Sequence, residues 1–311
     1  MDIFPTMITP FKKDRTIDYD TAVKYVDWYF ENGMTGIFAI CQSSEIFFLS
    51  LEERVKLNSV VYKRAKELEA KHGKPFTVVS SGHTAETIED QAKELTAIWN
   101  SGTDALIFIS NRLDPNNEGD DVFIANGEKL ISLLPPDAKL GIYECPYPYK
   151  RLLTPKILKW CIETGRFTYI KDTCCDSKML AERAEMFKGT TIKNLNANCQ
   201  TLLESMRQGN HGYCGIMANY HPRLYAWLCT NYEKYPAEAE LIQSVLSTFG
   251  FTEVGLPYPL TAKYHMNLSG IDTELLARNR RSEDLTEYGK DCVRQMKIAT
   301  DYFEKMIEKL Q

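Results

Sequence analysis

A lysine at the end of a strand-like run is the residue that points most clearly to chemistry. Lys171 closes the segment FTYIK, whose composition is typical of a strand that is buried on both faces. Burying an ammonium group is costly, so a buried lysine usually has a partner or a function. Burial also favours the neutral amine of lysine, which attacks a carbonyl carbon to give a Schiff base. The alternatives are that Lys171 extends into solvent or that it pairs with Asp172.

Two further segments carry groups that could assist such a lysine. Tyr143 ends the run LGIY, one strand earlier, where its phenol could relay protons between the lysine and a substrate. The structural alternative is a half-buried tyrosine whose hydroxyl is hydrogen-bonded. The turn CQSSE at 41–45 supplies hydroxyls, an amide and backbone N–H groups that could hold a carboxylate. Its alternative is an ordinary polar turn in which Glu45 supports the loop.

Other chemistries have little support in the sequence. The five histidines form no HExxH motif, and neither a GxSxG turn nor a nucleotide-binding glycine loop is present. The nine cysteines are odd in number and contain no CxxC pair, which excludes an obvious disulfide framework or zinc site. We expect them to be mostly small buried side chains in a reducing compartment. A soft metal or redox site is a minor alternative if the cysteines near strand ends converge; these are Cys41, Cys145, Cys174, Cys175 and Cys214.

The elements that would position these residues alternate along the chain. Short β-branched runs are separated by amphipathic stretches such as 18–33, which has a candidate N-cap at Asp18 or Asp20 and ends at Gly33. Segments 51–67 and 86–102 repeat this helical pattern. The eight strand-like runs are Ile3–Ile8, Gly36–Cys41, Phe76–Ser80, Ala105–Ser110, Leu140–Cys145, Phe167–Lys171, Ile192–Asn196 and Tyr213–Ile216.

Eight strands, each followed by a helix, predict an α/β fold of the (β/α)₈ TIM-barrel type. A doubly wound open sheet is disfavoured, because the turn after the first strand reads TPFKKDR and lacks the expected glycines. From His221 onward only helical patterns follow. We therefore predict a barrel at residues 1–222 that carries the active site, and a C-terminal helical extension at residues 223–311.

Charge and hydropathy exclude several classes of partner. The 311 residues carry a formal net charge of −5, which argues against a nucleic-acid-binding protein. No basic segment followed by an apolar run opens the sequence, and no stretch approaches the ~20 apolar residues of a membrane span. We expect a cytoplasmic protein with neither nucleic acid nor membrane as a partner.

The order of these motifs resembles the dihydrodipicolinate synthase and N-acetylneuraminate lyase family of Schiff-base-forming 2-oxo acid aldolases. The resemblance runs from the N-terminal PTMITPF to about residue 222, and the helical tail is also of the family's kind. The similar segments are TPF at Thr9–Phe11, NGMTGI, SSE followed by LSLEER at Leu49–Arg54, YECP at Tyr143–Pro146, IKDT at Ile170–Thr173 and HGYCGIMAN at His211–Asn219.

The resemblance implies roles for individual residues. Lys171 takes the place of the Schiff-base lysine and Tyr143 that of the proton-relay tyrosine. Ser43 stands where a threonine hydroxyl contacts both the substrate carboxylate and the relay tyrosine. Ser44 replaces a glycine of the family's turn, and Gln42 replaces its other hydroxyl residue, which suggests altered carboxylate contacts. The candidate substrate-binding residues are Gln42, Ser44, Cys214 and Gly215.

Two departures from the family bear on the substrate. Dihydrodipicolinate synthases carry an arginine in the loop after the tyrosine strand, where this chain has Pro148, followed by Lys150 and Arg151. Their fourth loop also carries a tyrosine for the neighbouring subunit, whereas this chain reads SNRLDPNNEG. Both differences argue against a role in lysine biosynthesis.

The resulting prediction is an aldolase or lyase that forms a Schiff base between Lys171 and pyruvate or a related 2-oxo acid. The first alternative is a dehydratase that acts on a deoxy sugar acid through the same imine. The second is a 2-oxo acid binding protein that has lost turnover. The resemblance implies no cofactor and no metal, because the lysine imine itself is the electrophile, and it implies a homotetramer built as a dimer of dimers.

Overall fold

The computed structural model describes residues 1–310, and its eight strands form one parallel sheet. The strands are hydrogen-bonded in the order β1-β8-β7-β6-β5-β4-β3-β2. Their bounds are β1 Asp2–Ile3, β2 Gly36–Phe38, β3 Thr77–Ser80, β4 Ala105–Ile109, β5 Leu140–Tyr143, β6 Phe167–Asp172, β7 Lys193–Asn196 and β8 Gly212–Tyr213. All eight predicted strands are therefore present, and most are shorter than the sequence pattern indicated.

The sheet curls until its two ends meet. Thr6, just after β1, forms a parallel bridge with Phe38 of β2. The Phe38 N–H donates to the Pro5 carbonyl at 3.0 Å, and the Met7 N–H donates to the Phe38 carbonyl at 3.0 Å. These bonds explain why β1 is shorter than predicted: only Asp2 and Ile3 pair with β8, and the chain beyond them pairs with β2 instead.

A helix follows each strand, as the (β/α)₈ prediction requires. The first eight helices are α1 Tyr19–Glu31, α2 Leu51–His72, α3 Ile88–Asn100, α4 Asp120–Leu133, α5 Pro155–Thr164, α6 Ser177–Phe187, α7 Leu202–Arg207 and α8 Pro222–Asn231. Three more helices follow, namely α9 Pro236–Glu253, α10 Leu260–Leu268 and α11 Glu287–Glu308. The TIM-barrel fold with C-terminal helices is thus confirmed.

The helix ends follow local sequence signals. Asp18 caps α1 by accepting from the Thr21 N–H at 3.1 Å, and Gly33 follows the helix with φ +84°, a conformation that favours glycine. Helix α2 runs beyond the predicted segment 51–67 to His72 and is followed by Gly73, whose φ is +64°.

The last three helices are tied to the barrel by buried polar contacts. Thr300 of α11 is hydrogen-bonded to His221 at 2.8 Å, and the Tyr25 hydroxyl of α1 donates to Thr273 at 2.8 Å.

The predicted division at residue 222 coincides with the first residue of α8 and stays a prediction. Within residues 1–310, no helix combines the length and apolar character needed to cross a membrane.

Candidate active site

A cavity of about 710 Å³ lies at the carboxyl ends of the barrel strands, where barrel enzymes place their reactive groups. Lys171 from β6 and Tyr143 from β5 line it together with Gln42 and Ser43, which follow β2. Residues after β7 and β8 and from the C-terminal helices complete the wall; among them are Asn198, Gln200, Tyr213, Glu253, Tyr258, Asn279 and Arg280.

Lys171 is the buried cation of this cavity. Its side chain is 8% exposed, and Tyr143 is its register partner on the neighbouring strand. Lys171 Nζ lies 3.9 Å from the centroid of the Tyr143 ring and 5.4 Å from that of Phe38. Because ring faces attract a cation, these two rings can hold the Lys171 side chain in place without an ion pair.

Asp172 does not pair with Lys171, which removes one of the structural alternatives. Arg183 of α6 donates to the Asp172 carboxylate and, at 2.7 Å, to the carboxylate of Glu144. All three side chains are almost fully buried. Glu144 directly follows Tyr143 of β5, and Asp172 directly follows Lys171 of β6. The ion pairs with Arg183 therefore hold the carboxyl ends of these two strands in place. Within residues 1–310, Lys171 Nζ has no ion pair.

The Tyr143 hydroxyl is held by Gln42 rather than by Ser43. It donates to Gln42 Oε1 at 3.0 Å, whereas the Ser43 hydroxyl donates to Thr6 Oγ1 at 3.0 Å. The expected contact between Ser43 and the relay tyrosine is therefore wrong for this structure. Burial raises the pKa of Tyr143 well above its ordinary value, and the neighbouring Cys145 and Cys41 raise it further.

Ser44 holds the turn together and does not line the cavity. Its hydroxyl is fully buried and lies 2.7 Å from both the Met7 and the Ala39 carbonyl, and it accepts from the Cys41 N–H at 3.1 Å. The positive φ of the turn falls on Glu45, at +62°, so the serine needs no glycine-like backbone. The prediction of substrate contact for Ser44 is thus corrected to a supporting role.

Cys214 and Gly215 are likewise not among the residues that line the main cavity. Cys214 lies deeper in the barrel, where it borders a small interior void with Lys171 and Leu195. A Cβ at Gly215 would lie 2.7 Å from the Ala197 carbonyl oxygen, so glycine permits the close approach of two chain segments. The substrate-binding role predicted for these two residues therefore gains no support from the lining of the cavity.

Ser44→Ala should therefore destabilise the fold. Removing the hydroxyl leaves the buried Cys41 N–H and the two carbonyls without this partner, which costs about 1–3 kcal/mol of the free energy of unfolding. Urea unfolding of the parent and the variant measures the difference. Ser132→Ala, which removes an exposed hydroxyl, should change stability by less than about 0.5 kcal/mol. Equal stability of parent and Ser44→Ala would contradict the supporting role.

Three cysteines surround the lysine and the tyrosine, as the convergence of strand ends suggested. Cys41, Cys145 and Cys214 are all buried. Burial raises the pKa of Cys214 to about 12, which keeps its thiol protonated at neutral pH. Across the described chain, residues 1–310, no group of three or more His, Cys, Asp or Glu side chains is arranged to hold a metal ion. The soft-metal alternative therefore gains no support from the geometry.

The loop after β5 is fixed by residues that the sequence left unassigned. Asn111 Nδ2 lies within 2.9 Å of the carbonyl oxygens of Cys145, Tyr147 and Tyr149. Arg151 pairs with Asp114 and Asp120 and is therefore occupied, so it does not replace the arginine that related synthases carry in this loop.

A different arginine reaches the cavity from the C-terminal segment. Arg280 and Asn279 line the cavity, and the buried Glu45 carboxylate holds this segment by accepting from the N–H groups of Arg278 at 2.6 Å and Asn279 at 2.8 Å. Sequence reasoning missed these cavity residues because it treated the C-terminal helices as an extension packed outside the site. The basic run RNRR at 278–281 was the one sequence feature that could have indicated a charged group at the cavity.

Glu253, at the end of α9, is a second cavity residue that the sequence did not reveal. Its side chain is 3% exposed, and its Oε1 accepts from Thr261 at 2.8 Å. Among residues 1–310, Oε2 has no hydrogen-bond partner. Burial raises the pKa of this carboxyl to about 7, although the neighbouring hydroxyls of Tyr220 and Thr261 oppose the rise.

The raised pKa of Glu253 predicts a loss of stability as pH rises. The folded state keeps the proton up to about pH 7, whereas the unfolded chain releases it near 4.5, so stability falls across this interval and is then constant. One pKa unit corresponds to about 1.4 kcal/mol, so the loss is roughly 3 kcal/mol. Because glutamine does not titrate, Glu253→Gln should abolish it. Urea unfolding at pH 5 and pH 8 measures this, and parallel pH profiles of parent and variant would contradict the prediction.

A second buried lysine lies outside the cavity. Lys263 of α10 is fully buried, donates to the Leu276 carbonyl and has its Nζ 4.8 Å from the centroid of the Phe11 ring. Burial lowers the pKa of Lys263 to about 8, although Glu45 opposes the change. An amine with a lowered pKa is a candidate nucleophile, but Lys263 is not among the residues that line the cavity. Because Lys171 lines the cavity and Lys263 does not, Lys171 is the better candidate for the nucleophile.

Comparisons with known proteins agree with this geometry. Residues 1–108 match the model of the dihydrodipicolinate synthetase family. The 4-hydroxy-tetrahydrodipicolinate synthase of Methanocaldococcus jannaschii is 24% identical over 224 residues, which is 71% of each chain. These similarities confirm the resemblance found in the sequence.

Solved structures of the dihydrodipicolinate synthetase family and of related proteins share the fold. YagE of Escherichia coli K12, described in complex with pyruvate, has a TM-score of 0.82 at 16% identity and covers 96% of this chain and 98% of its own. CdNal of Clostridium difficile, described in complex with mannosamine, has a TM-score of 0.82 at 15% identity with the same coverage. At these identities the likeness establishes the fold.

Proposed function

We propose that this protein is an aldolase or lyase that forms a Schiff base between Lys171 and pyruvate or a related 2-oxo acid. The observation that carries the proposal is the position of Lys171, a buried amine that lines a cavity of about 710 Å³ and has no ion-pair partner among residues 1–310. The similarity of residues 1–108 to the dihydrodipicolinate synthetase family and the pyruvate complex described for YagE support the same chemistry.

The proposed reaction begins when the neutral amine of Lys171 attacks the ketone carbon of the 2-oxo acid. Loss of water gives a protonated imine, which withdraws electrons from the neighbouring bonds. The bond between C3 and C4 can then break as the C4 hydroxyl gives up its proton and C4 departs as an aldehyde. The remaining enamine takes a proton at C3, and hydrolysis of the imine releases pyruvate and the free lysine. Tyr143, whose ring contacts the lysine, is placed to donate and accept protons at the substrate.

The polar wall of the cavity supports a hydroxylated substrate. Four carboxamide side chains line the cavity, those of Gln42, Asn198, Gln200 and Asn279. A carboxamide both donates and accepts hydrogen bonds, as recognition of a sugar-like hydroxyl chain requires. The exposed Arg280 adds a cation that can attract the carboxylate of an acidic substrate. We therefore propose 2-oxo-3-deoxy sugar acids as the substrate class.

Borohydride reduction in the presence of pyruvate tests the imine. The expected result is a covalent adduct of reduced pyruvate on the peptide that contains Lys171, and an unlabelled peptide that contains Lys263. The absence of an adduct with pyruvate and with every member of a panel of 2-oxo-3-deoxy acids would overturn the proposal.

The dehydratase alternative is favoured by one observation, the buried acid Glu253 on the cavity wall. A protonated carboxyl can donate its proton to a departing hydroxyl group, which a dehydratase requires and a simple carbon–carbon lyase does not. Product analysis of the same panel separates the two outcomes, because only the lyase releases pyruvate and an aldehyde.

The homotetramer implied by the resemblance stays a prediction, and light scattering of the purified protein tests it.

A further inference from the structure

The cavity has two walls of different origin. The ends of the barrel strands supply the wall that carries Lys171 and Tyr143. The C-terminal segments supply the other wall, where Glu253 ends α9 and Arg280 precedes α11. Among the described residues that line the cavity, those with a cationic or acidic side chain are Lys171, Glu253 and Arg280. A substrate that reacts at Lys171 and fills the cavity therefore meets a second pair of ionisable groups.

Glu253 and Arg280 are joined by a chain of hydrogen bonds around Tyr258. The Leu256 N–H donates to the Glu253 carbonyl at 3.0 Å, and the Tyr258 N–H donates to the Leu256 carbonyl at 3.0 Å. Arg280 Nε then donates to the Tyr258 carbonyl at 2.9 Å. Residues 253–258 thus form a tight connection that fixes the acid and the guanidinium on the same wall.

The guanidinium of Arg280 is oriented but not neutralised. Its neighbours Arg278 and Arg281 form ion pairs with Glu53 and Asp284. Arg280, in contrast, has no ion pair within residues 1–310, and the Tyr258 carbonyl engages only its Nε. The two terminal nitrogens therefore present a planar fork of N–H groups, which matches the geometry of a carboxylate.

Glu253 adds a buried donor to this wall. Its Oε1 accepts from Thr261 at 2.8 Å, whereas its Oε2 has no hydrogen-bond partner among residues 1–310. Because burial raises the pKa of this carboxyl to about 7, a large share of it is protonated at neutral pH. A proton on Oε2 gives an O–H group without a protein acceptor. Since buried polar groups are nearly always paired, an acceptor on the ligand accounts for this group.

We propose that Arg280 and Glu253 form a subsite for the terminal carboxylate of the substrate, and that the substrate is a 2-oxo-3-deoxy sugar diacid. The inference rests on the proposed Schiff-base function and narrows its substrate class. The Arg280 fork donates to the terminal carboxylate, and the carboxyl of Glu253 donates one further hydrogen bond. One cation beside one neutral acid balances a single negative charge, whereas a phosphate ester carries about −1.5 to −2. The charges of the subsite therefore favour a carboxylate.

A binding role for Glu253 has different kinetic consequences from acid catalysis. A carboxyl that holds the far end of the substrate changes the substrate concentration needed for half-saturation. A carboxyl that protonates a leaving hydroxyl changes kcat instead. Carbon–carbon cleavage of the proposed diacid also gives a defined pair of products, pyruvate and an aldehyde that carries the terminal carboxylate.

Borohydride trapping with two 2-oxo acids of equal chain length tests the subsite. One is 2-oxoadipate, which ends in a carboxylate, and the other is 2-oxohexanoate, which ends in a methyl group. Intact-mass analysis of the full-length protein gives the concentration of each acid that produces half of the maximal trapping rate. For the parent we expect a value for 2-oxoadipate that is lower by about 10-fold or more, as charged hydrogen bonds provide. Arg280→Met should bring the two values close to each other.

Arg281→Met is the matched control for this variant. Arg281 is the next residue in the sequence, but its side chain is 82% exposed and pairs with Asp284 outside the cavity lining. Its removal should leave the parental preference for 2-oxoadipate in place. Arg280 is also exposed, so Arg280→Met should fold, and the adduct that it forms with pyruvate verifies this.

The pH dependence of the preference tests the part played by Glu253. Its titratable or charged neighbours are Arg280 and the phenols of Tyr220 and Tyr258, and burial raises the pKa of both phenols. None of these groups titrates between pH 6 and pH 8, so the preference for 2-oxoadipate should fall about 10-fold over this interval as Glu253 ionises. Glu253→Gln keeps an N–H donor at both values and should show a constant preference. Reference to 2-oxohexanoate removes any titration of Lys171 from the comparison.

The outcomes separate this inference from the proposed function. A parent protein that traps both acids at the same concentration would overturn the subsite and leave the imine chemistry intact. Tighter binding of a 2-oxo acid that ends in a phosphate ester would overturn the assignment to a carboxylate. No adduct with any 2-oxo acid would overturn the Schiff-base function and this inference together.

Discussion

Lys171→Ala should abolish both the pyruvate adduct and turnover, with kcat/KM falling by at least about 10⁴-fold, as expected when a covalent nucleophile is lost. The side chain is 8% exposed and contacts the rings of Tyr143 and Phe38, so alanine leaves a cavity but no unpaired charge. The variant should therefore fold. Adduct yield by intact mass and pyruvate release from the most reactive 2-oxo-3-deoxy acid of the panel measure the two losses.

The internal control for this prediction is Lys263. Burial lowers its pKa to about 8, so part of this amine is neutral near neutral pH and could react if a substrate reached it. Because Lys263 does not line the cavity, we expect its peptide to stay unlabelled in the parent and in Lys171→Ala. Label on Lys263, or turnover that survives in Lys171→Ala, would show that a different amine or a different chemistry operates.

The fold and the position of Lys171 and Tyr143 at the cavity could be predicted because both depend on local patterns. Each strand is a short apolar run, each helix an amphipathic stretch, and the rule that barrel enzymes react at strand ends led directly to Lys171 and Tyr143. Their separation in sequence did not matter, because parallel pairing of β5 and β6 brings them to the same register.

The details of the turn at 41–45 could not be predicted from the sequence. Which side chain contacts Tyr143 depends on how deep each residue of the turn lies, and a short 3₁₀ helix at Gln42–Ser44 decides this. In this helix the Ser44 side chain is buried in the core, and the Gln42 side chain accepts the hydrogen bond of the Tyr143 hydroxyl. A resemblance by position transfers the backbone location of a residue but not its rotamer or its partner.

The C-terminal contribution was missed for a different reason. Glu253, Tyr258 and Arg280 reach the cavity through contacts between segments that are more than 80 residues apart from Lys171 in the sequence. No periodicity within α9 or α10 indicates which end of the barrel these helices cover. The anchoring bonds from Glu45 to the Arg278 and Asn279 N–H groups are non-local as well.

Arg183→Met should lower the free energy of unfolding by about 3–5 kcal/mol, the largest loss of stability that we predict for a single substitution in this protein. The guanidinium donates to Glu144 and Asp172, which are both fully buried, and methionine leaves two neighbouring carboxylates without their cation. Arg223→Met is the contrasting control. Its ion pair with Glu308 is largely exposed, so its loss should cost less than about 1 kcal/mol.

The pH dependence of the Arg183→Met defect identifies its cause. Burial and the charge of Asp172 raise the pKa of Glu144, and Arg183 opposes that rise in the parent. Without the arginine, the folded state holds the Glu144 proton to higher pH than the unfolded chain does, so the variant loses stability as pH rises. Urea unfolding should therefore show a larger defect at pH 8 than at pH 5. A defect that is the same at both values would mean that lost packing, and not unpaired charge, explains the destabilisation.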